Sequence, residues 1–112
     1  MADIEYSPLA INDLENIGDY IRIELASPIA ALNIVDGIQD AIDNLSIFPL
    51  MGALLSSIMD IYTNYRFLVC DNYLVFYRTD EKMVYIDRVL YGKRDYLAIL
   101  FPNITKITNK GI

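Results

Sequence analysis

The sequence predicts a small α+β domain in which a helical hairpin precedes an antiparallel sheet. Ser7-Pro8 and Ser27-Pro28 each introduce a stretch of apolar residues at helical spacing. Beyond Tyr65 the period shortens, and three stretches rich in Tyr, Phe, Val, Ile and Leu alternate with turn residues. At 112 residues, of which 54% are hydrophobic, the chain has the length and the apolar content for one core.

The predicted first half consists of a short strand and two helices. Ile4 and Tyr6 alternate with acidic residues, which favours a strand. The first helix is predicted from Pro8 to about Glu24, with the preceding serine as its N-cap. The second helix begins at Pro28 and ends before Phe48-Pro49. Because only a few residues join the two helices, we expect them to pack as an antiparallel hairpin.

The predicted second half is a three-stranded meander followed by a short helix. The strands are Tyr65 to Cys70, Tyr73 to Arg78 and Met83 to Leu90, and the short turns between them force antiparallel pairing. A last helix covers Lys93 to Leu100, so that the domain spans residues 1–102, and residues 103–112 form a tail that frays. On the last strand, strict alternation places Val84, Ile86, Arg88 and Leu90 on one face and Tyr85, Asp87, Val89 and Tyr91 on the other.

The composition excludes several kinds of chemistry. The chain has no histidine, which excludes Ser-His-Asp and Cys-His catalysis and argues against a zinc site. Its single cysteine, Cys70, permits no internal disulfide, and we interpret it as a packing residue. Since no signal peptide or membrane-spanning stretch is recognised, we expect a cytoplasmic protein without membrane contact. Neither a metal nor a cofactor is predicted.

The net charge of −6 is unevenly divided between the two halves. Up to Ser46 there are nine acidic residues and one basic residue, a net charge of −8. The remainder has six acidic and eight basic residues, a net charge of +2. An anionic ligand is therefore expected only on the second half.

A block in the second half resembles a known family. Tyr73-Leu74-Val75-Phe76-Tyr77-Arg78, followed by Ile86-Asp87-Arg88-Val89-Leu90-Tyr91-Gly92-Lys93-Arg94-Asp95, is similar to the conserved block of the RelE/ParE toxins. Tyr6-Ser7-Pro8-Leu9-Ala10 and Asp13-Leu14 resemble the opening signature of that superfamily. The resemblance covers about Ile4 to Phe101 and implies the RelE/ParE fold.

The resemblance also implies a function. Such proteins, which include the plasmid-stabilisation family, are toxins of type II toxin–antitoxin systems that inhibit growth unless a cognate antitoxin binds them. RelE-like members are mRNA interferases that cleave mRNA on the ribosome, and ParE-like members poison DNA gyrase. We favour the ParE-like, non-enzymatic branch. The alternatives are a RelE-like ribosome-dependent endoribonuclease and a degenerate family member that is no longer toxic.

The positions that correspond to the RelE catalytic groups support this preference. RNA cleavage needs a general base, cations that stabilise the phosphorane, and a general acid. RelE-type sequences carry an arginine on the second meander strand, an arginine after the last strand and a tyrosine in the final helix. Here those positions hold Leu74, Arg94 and Leu100, and Tyr91 stands where related nucleases carry a histidine.

If the chain is nonetheless a nuclease, a substitute set of groups must act. The candidate catalytic residues are then Arg88, Tyr91, Lys93 and Arg94, and Arg66 and Arg78 are candidate phosphate-binding cations. For Arg88 the alternative is a structural role, paired with Asp87, Asp95 or a C-terminal carbonyl.

The run from Leu50 to Met59 is too apolar for a solvated loop. One interpretation is a helical turn or extended segment packed on the core. The other is a surface that binds the antitoxin or a second copy of the chain in a homodimer, and it contains Leu50, Met51, Leu54, Leu55, Ile58 and Met59.

Overall fold

The computed structural model describes residues 1–57, 63–92 and 96–101 of the chain. Three helices and five strands are present in this part, together with one π-helical and two 3₁₀ turns. In chain order they are β1 (Asp3–Tyr6), α1 (Pro8–Asp19), a π-helical turn (Tyr20–Glu24), α2 (Pro28–Asp43), a 3₁₀ turn (Asn44–Ser46), β2 (Ala53–Leu54), a 3₁₀ turn (Leu55–Ser57), β3 (Arg66–Cys70), β4 (Tyr73–Thr79), β5 (Met83–Tyr91) and α3 (Tyr96–Leu100).

Both long helices begin where the Ser-Pro pairs predict. The Ser7 hydroxyl accepts a hydrogen bond from the amide of Ala10 at 3.0 Å, and the Ser27 hydroxyl accepts one from the amide of Ala30 at 3.4 Å. These bonds satisfy amides that have no partner within the helix. The first helix does not continue regularly to Glu24, because α1 ends at Asp19 and a π-helical turn completes the element.

The connection between the helices contains a strained residue. Ala26 has a φ of 49°, in the left-handed region that favours glycine. We expect Ala26→Gly to stabilise the fold by up to about 1 kcal/mol, because glycine removes the Cβ clash and the native backbone is kept. Urea denaturation of the variant and the parent would measure the difference. An Ala26→Gly protein that unfolds more easily than the parent would contradict this reading of the turn.

The strands form one five-stranded sheet in the order β1-β5-β4-β3-β2. The predicted meander is confirmed, since β3, β4 and β5 are antiparallel neighbours. β1 lies parallel to β5 at one edge. At the other edge β2, which the sequence did not reveal as a strand, pairs Ala53 with Phe67 and Leu54 with Arg66.

The sheet has a cluster of apolar side chains on each face. We call the side covered by α1 and α2 the helix face; its core contains Ala10, Leu14, Ile38, Ile42, Leu45, Val75, Tyr77, Val84, Ile86 and Val89. We call the other side the outer face. Its buried residues are Leu55, Phe76 and Leu90, and side chains from β3, β4 and the α3 region pack against them.

The predicted alternation along β5 is wrong beyond Ile86. Phe76 lies opposite Arg88, and Tyr77 lies opposite Ile86, so that Asp87 is an extra residue in β5. Such a β-bulge reverses which face the following residues occupy. Leu90 therefore belongs to the outer face and Val89 to the helix face, whereas the alternation had assigned Leu90 to the face of Val84 and Ile86.

The predicted C-terminal helix is confirmed where the structure describes it. α3 comprises five residues, Tyr96–Leu100, and the predicted first turn at residues 93–95 lies outside the described residues, as does the predicted tail. No described helix has both the length and the apolar character needed to cross a bilayer. Within the same residues, no group of three or more Cys, Asp or Glu side chains is arranged to hold a metal ion.

Candidate functional site

The two positions that hold leucine in place of the RelE catalytic groups both lie on the outer face. Leu74 of β4 and Leu100 of α3 both pack against the cluster of Leu55, Phe76 and Leu90. Leu55, Phe76 and Leu90 are each no more than 1% exposed. Where a RelE-type site would place a cation and a proton donor, this chain has half-buried leucines packed on a buried apolar cluster.

The candidate catalytic residue Arg88 is engaged in an ion pair with Asp13 of α1. Its Nε and one terminal nitrogen each donate to the Asp13 carboxylate at 2.8 Å, and the Val89 amide donates to the same carboxylate at 3.0 Å. The hydrogen bond to Asp13 raises the pKa of the Arg88 guanidinium. Arg88 thus has a structural partner, but this partner is Asp13 and neither Asp87 nor a C-terminal carbonyl.

The position of Asp13 follows from the end of β1. Directly after β1, the Ser7 amide still donates a hydrogen bond to the Ile86 carbonyl of β5 at 2.9 Å. The Ser7 hydroxyl donates to the Asp87 carbonyl at 2.8 Å. Beyond this point no strand among the described residues lies beside this edge of β5, so the Val89 amide needs a side-chain acceptor. Asp13, one and a half turns into α1, supplies that acceptor.

Arg78, a candidate phosphate-binding cation, is also paired. It donates to both carboxylate oxygens of Asp87, at 2.6 and 3.2 Å, and this hydrogen bonding raises the pKa of the Arg78 guanidinium. The guanidinium lies 6.0 Å from the ring centre of Tyr65 and 5.6 Å from that of Tyr85. Burial, reinforced by the Asp87 charge, raises the pKa of the Tyr65 phenol. The cation is thus compensated by a carboxylate and two aromatic rings.

Arg66, the second candidate phosphate-binding cation, holds the chain that follows α2. It donates to the carbonyl of Gly52 at 2.8 Å and to that of Leu50 at 3.3 Å. On the other side, the Tyr77 hydroxyl accepts from the Gly52 amide and donates to the Pro49 carbonyl, both at 2.8 Å. This segment is therefore fixed to the sheet by two side chains.

The remaining candidate catalytic residues are not brought together with these arginines. Tyr91 is 37% exposed, and its ring packs edge-on against Tyr73 with the centroids 5.8 Å apart. It lines a cleft on the helix-hairpin side, away from the Leu74 cluster. Lys93 and Arg94 lie outside the described residues.

The predicted antitoxin-binding run is only partly a surface. Leu50, Met51 and Leu54 are between 41% and 48% exposed. Leu55 is 1% exposed and packs in the outer-face core, so its assignment to a binding surface is wrong. Ile58 and Met59 lie outside the described residues.

Two further residues extend this surface. Ile47 and Phe48 are 58% and 62% exposed, and only Pro49 separates them from the apolar run that begins at Leu50. We define the exposed apolar segment as Ile47, Phe48, Leu50, Met51 and Leu54. The second helix was predicted to end before Phe48, and no sequence pattern indicated that Ile47 and Phe48 are exposed.

Two features define the class of protein. The fold is an α+β unit with a helical hairpin on one face of the sheet. On the other face, apolar side chains occupy positions where RelE-type nucleases carry catalytic groups. Residues 4–96 match the family described as the ParE toxin of the type II toxin–antitoxin system, parDE. The chain belongs to the ParE toxin family.

A solved structure supports the same fold. The chain is similar to a protein described as belonging to the chromosomal ParDE TA system from P. aeruginosa, with a TM-score of 0.68 and 24% sequence identity. The match covers 81% of this chain and 96% of the other. No curated protein sequence gives a significant match.

Proposed function

We propose that this protein inhibits growth by binding DNA gyrase, without cleaving RNA, and that a cognate antitoxin neutralises it. Membership of the ParE family supports the toxin role. Because gyrase and the nucleoid are cytoplasmic, the proposal places the protein in the cytoplasm.

The observation that carries the proposal is the apolar cluster around Leu74 and Leu100. Leucine can neither stabilise a phosphorane nor move a proton, and general acid–base catalysis contributes typically ~10²–10⁴-fold to such a reaction. Both leucines are packed against the buried side chains of the outer face. Half-buried apolar side chains at these positions suit contact with a protein better than contact with a phosphate backbone.

The three described arginines of the second half support the same conclusion. Arg78 and Arg88 are each compensated by an aspartate, and Arg66 is committed to two backbone carbonyls. A phosphate that binds any of them would compete with these contacts for the guanidinium. Nucleic-acid affinity comes mainly from uncompensated cations.

The exposed apolar segment supports antitoxin binding. Its five side chains lie within eight consecutive residues, and Tyr77 and Arg66 bind the backbone of this stretch. Exposed apolar patches of this kind mark protein interfaces in soluble proteins. A second copy of the chain is the alternative occupant.

Induction of the chain in growing cells tests the proposal. We expect growth arrest, altered supercoiling of a reporter plasmid, and mRNA without new 5′ ends inside translated codons. Co-expression of the cognate antitoxin should restore growth. New ends at codon positions would support the endoribonuclease alternative, and continued growth at full expression would indicate a non-toxic family member.

A further inference from the structure

The exposed apolar segment lies in the longest uncharged stretch of the chain. No acidic or basic residue occurs from residue 44 to residue 59, whereas the whole chain carries a net charge of −6. The five side chains of the segment are between 41% and 62% exposed. A partner of the same net charge can therefore contact apolar side chains here without bringing charged side chains of this stretch together.

The segment is contiguous in space as well as in sequence. The Met51 amide donates to the Phe48 carbonyl at 3.1 Å, which closes a turn between the two residues. Arg66, the β3 partner of Leu54, also donates to the Leu50 carbonyl at 3.3 Å. The turn after α2 and the edge strand β2 thus belong to one surface.

The backbone of this stretch is fixed before any partner binds. The Tyr77 hydroxyl binds the Gly52 amide and the Pro49 carbonyl, both at 2.8 Å, and Arg66 donates to the Gly52 carbonyl at 2.8 Å. Association is costly when a loop must become ordered, and a backbone that is already fixed avoids that cost. What remains is mainly the ordering of the exposed side chains.

The area of the segment is close to the lower limit for a specific dimer. Large apolar side chains that are about half exposed leave on the order of 500 Å² of apolar surface on each copy. Two such surfaces in contact would bury roughly 1,000 Å² in total, which is about the smallest area of a specific interface. The area therefore fits a weak, reversible pair of copies.

Exposed apolar residues also occur on the hairpin, where charge opposes contact between two copies. Ile23, Ile29 and Leu32 are each more exposed than any member of the exposed apolar segment. They belong, however, to the half of the chain with a net charge of −8. Like charges placed opposite each other disfavour association. Charge therefore favours the uncharged segment as the surface through which two copies meet.

We propose that, in the absence of antitoxin, the exposed apolar segment pairs with the same segment of a second copy of the chain in a two-fold symmetric dimer. A two-fold contact uses the same surface on both copies and closes at two. Beside β2, on the side away from β3, no strand lies among the described residues, so that this edge of the sheet is open to the second copy. The inference goes beyond the proposed function, because it concerns the chain alone and holds whatever the growth target is. Antitoxin and second copy compete for the segment.

Sedimentation velocity of the purified full chain tests the dimer. We expect the average mass to rise from one chain to two with a dissociation constant of about 1–100 µM, as suits an interface of this size. Because both copies carry a net charge of −6, added salt should strengthen the dimer about twofold or more by screening their repulsion. A chain that stays monomeric at several hundred micromolar would overturn the proposal. So would association beyond two copies, or a dimer that salt weakens.

A charge at Phe48 tests the surface. Phe48→Asp and Phe48→Lys should each weaken the dimer ~10-fold or more, because an apolar anchor is lost and like charges face each other across the two-fold axis. Leu32→Asp is the matched control, since Leu32 is 63% exposed and Phe48 is 62% exposed, and the charge change equals that of Phe48→Asp. The control should dimerise within about twofold of the parent. A parental melting temperature shows that each variant is folded. Folded Phe48 variants that dimerise as the parent does would overturn the assignment of this surface.

Mixing the two Phe48 variants tests the two-fold symmetry. An equimolar mixture of Phe48→Asp and Phe48→Lys should form a mixed dimer ~10-fold or more tighter than either variant forms alone, because opposite charges now face each other. A mixture that associates no better than its components would show that the segment does not face its own copy, and would overturn the proposal. These outcomes leave the ParE family assignment and the gyrase proposal untouched, because neither depends on the dimer.

Discussion

Replacing Asp13 by alanine should reduce the free energy of unfolding by about 3–5 kcal/mol, the range for removing one partner of a buried ion pair. The side chains of Asp13 and Arg88 are only 8% and 20% exposed. The substitution leaves the guanidinium without its carboxylate and the Val89 amide without its acceptor. Urea denaturation followed by far-ultraviolet circular dichroism measures the change. Asp13→Asn should lose less, because an amide oxygen can still accept from Val89.

The same helix provides a control. Asp19 pairs with Arg22 at 2.7 Å, but both side chains are more than half exposed. Solvent screens such a pair, and Asp19→Ala should change the unfolding free energy by less than about 1 kcal/mol. Equal losses for Asp13→Ala and Asp19→Ala would show that the buried pair does not hold α1 to β5.

The second large effect is expected at Gly52. A Cβ atom built there would lie 2.6 Å from both the Tyr77 ring and its hydroxyl, and 2.8 Å from the Phe67 carbonyl. Because Tyr77 is fully buried and the carbonyl belongs to β3, neither can move freely. We expect Gly52→Ala to cost about 1–3 kcal/mol, as overpacking of a core does. It should also break the hydrogen bond from the Gly52 amide to Tyr77.

Gly37 on α2 is the matched control for Gly52. It lies inside a helix and is exposed, and a Cβ atom there would meet nothing within 4 Å. Gly37→Ala should stabilise the protein by about 0.5–1 kcal/mol through helix propensity. The two alanine variants therefore should move the urea midpoint in opposite directions. A Gly52→Ala protein as stable as the parent would contradict the close packing at Tyr77.

Much of the fold could be predicted because it depends on local signals. The Ser-Pro pairs mark helix starts through side-chain capping and the fixed φ of proline, which act within four residues. Turns at Asp71-Asn72 and Thr79 to Lys82 leave no space for any pairing except antiparallel. Both signals need only neighbouring residues, and the structure confirms both.

The features that the sequence could not reveal depend on distant partners. Asp13 and Arg88 are 75 residues apart, and the aspartate looks like any acidic residue on an acidic helix. The bulge at Asp87 arises from the strand register and shifts Leu90 to the outer face. Leu55 and Leu54 are adjacent leucines, yet one is buried and the other is 41% exposed. Only the tertiary arrangement separates them.

The candidate site was predictable in its chemistry and not in its geometry. Alignment with the RelE pattern identified Leu74 and Leu100 as departures from a nuclease site. The structure adds that both pack against the same buried cluster. It also shows that Arg66, Arg78 and Arg88 bind backbone carbonyls, Asp87 and Asp13 respectively.

The central claim, that this ParE-family chain acts by binding gyrase and not by cutting RNA, can be tested with purified components. The measurement is ATP-dependent supercoiling of relaxed plasmid by gyrase as a function of toxin concentration, run beside mRNA bound to translating ribosomes. We predict loss of supercoiling, accumulation of cleaved DNA–gyrase complexes, and intact mRNA. Gyrase that supercoils normally at excess toxin while ribosome-bound mRNA is cut would contradict the account.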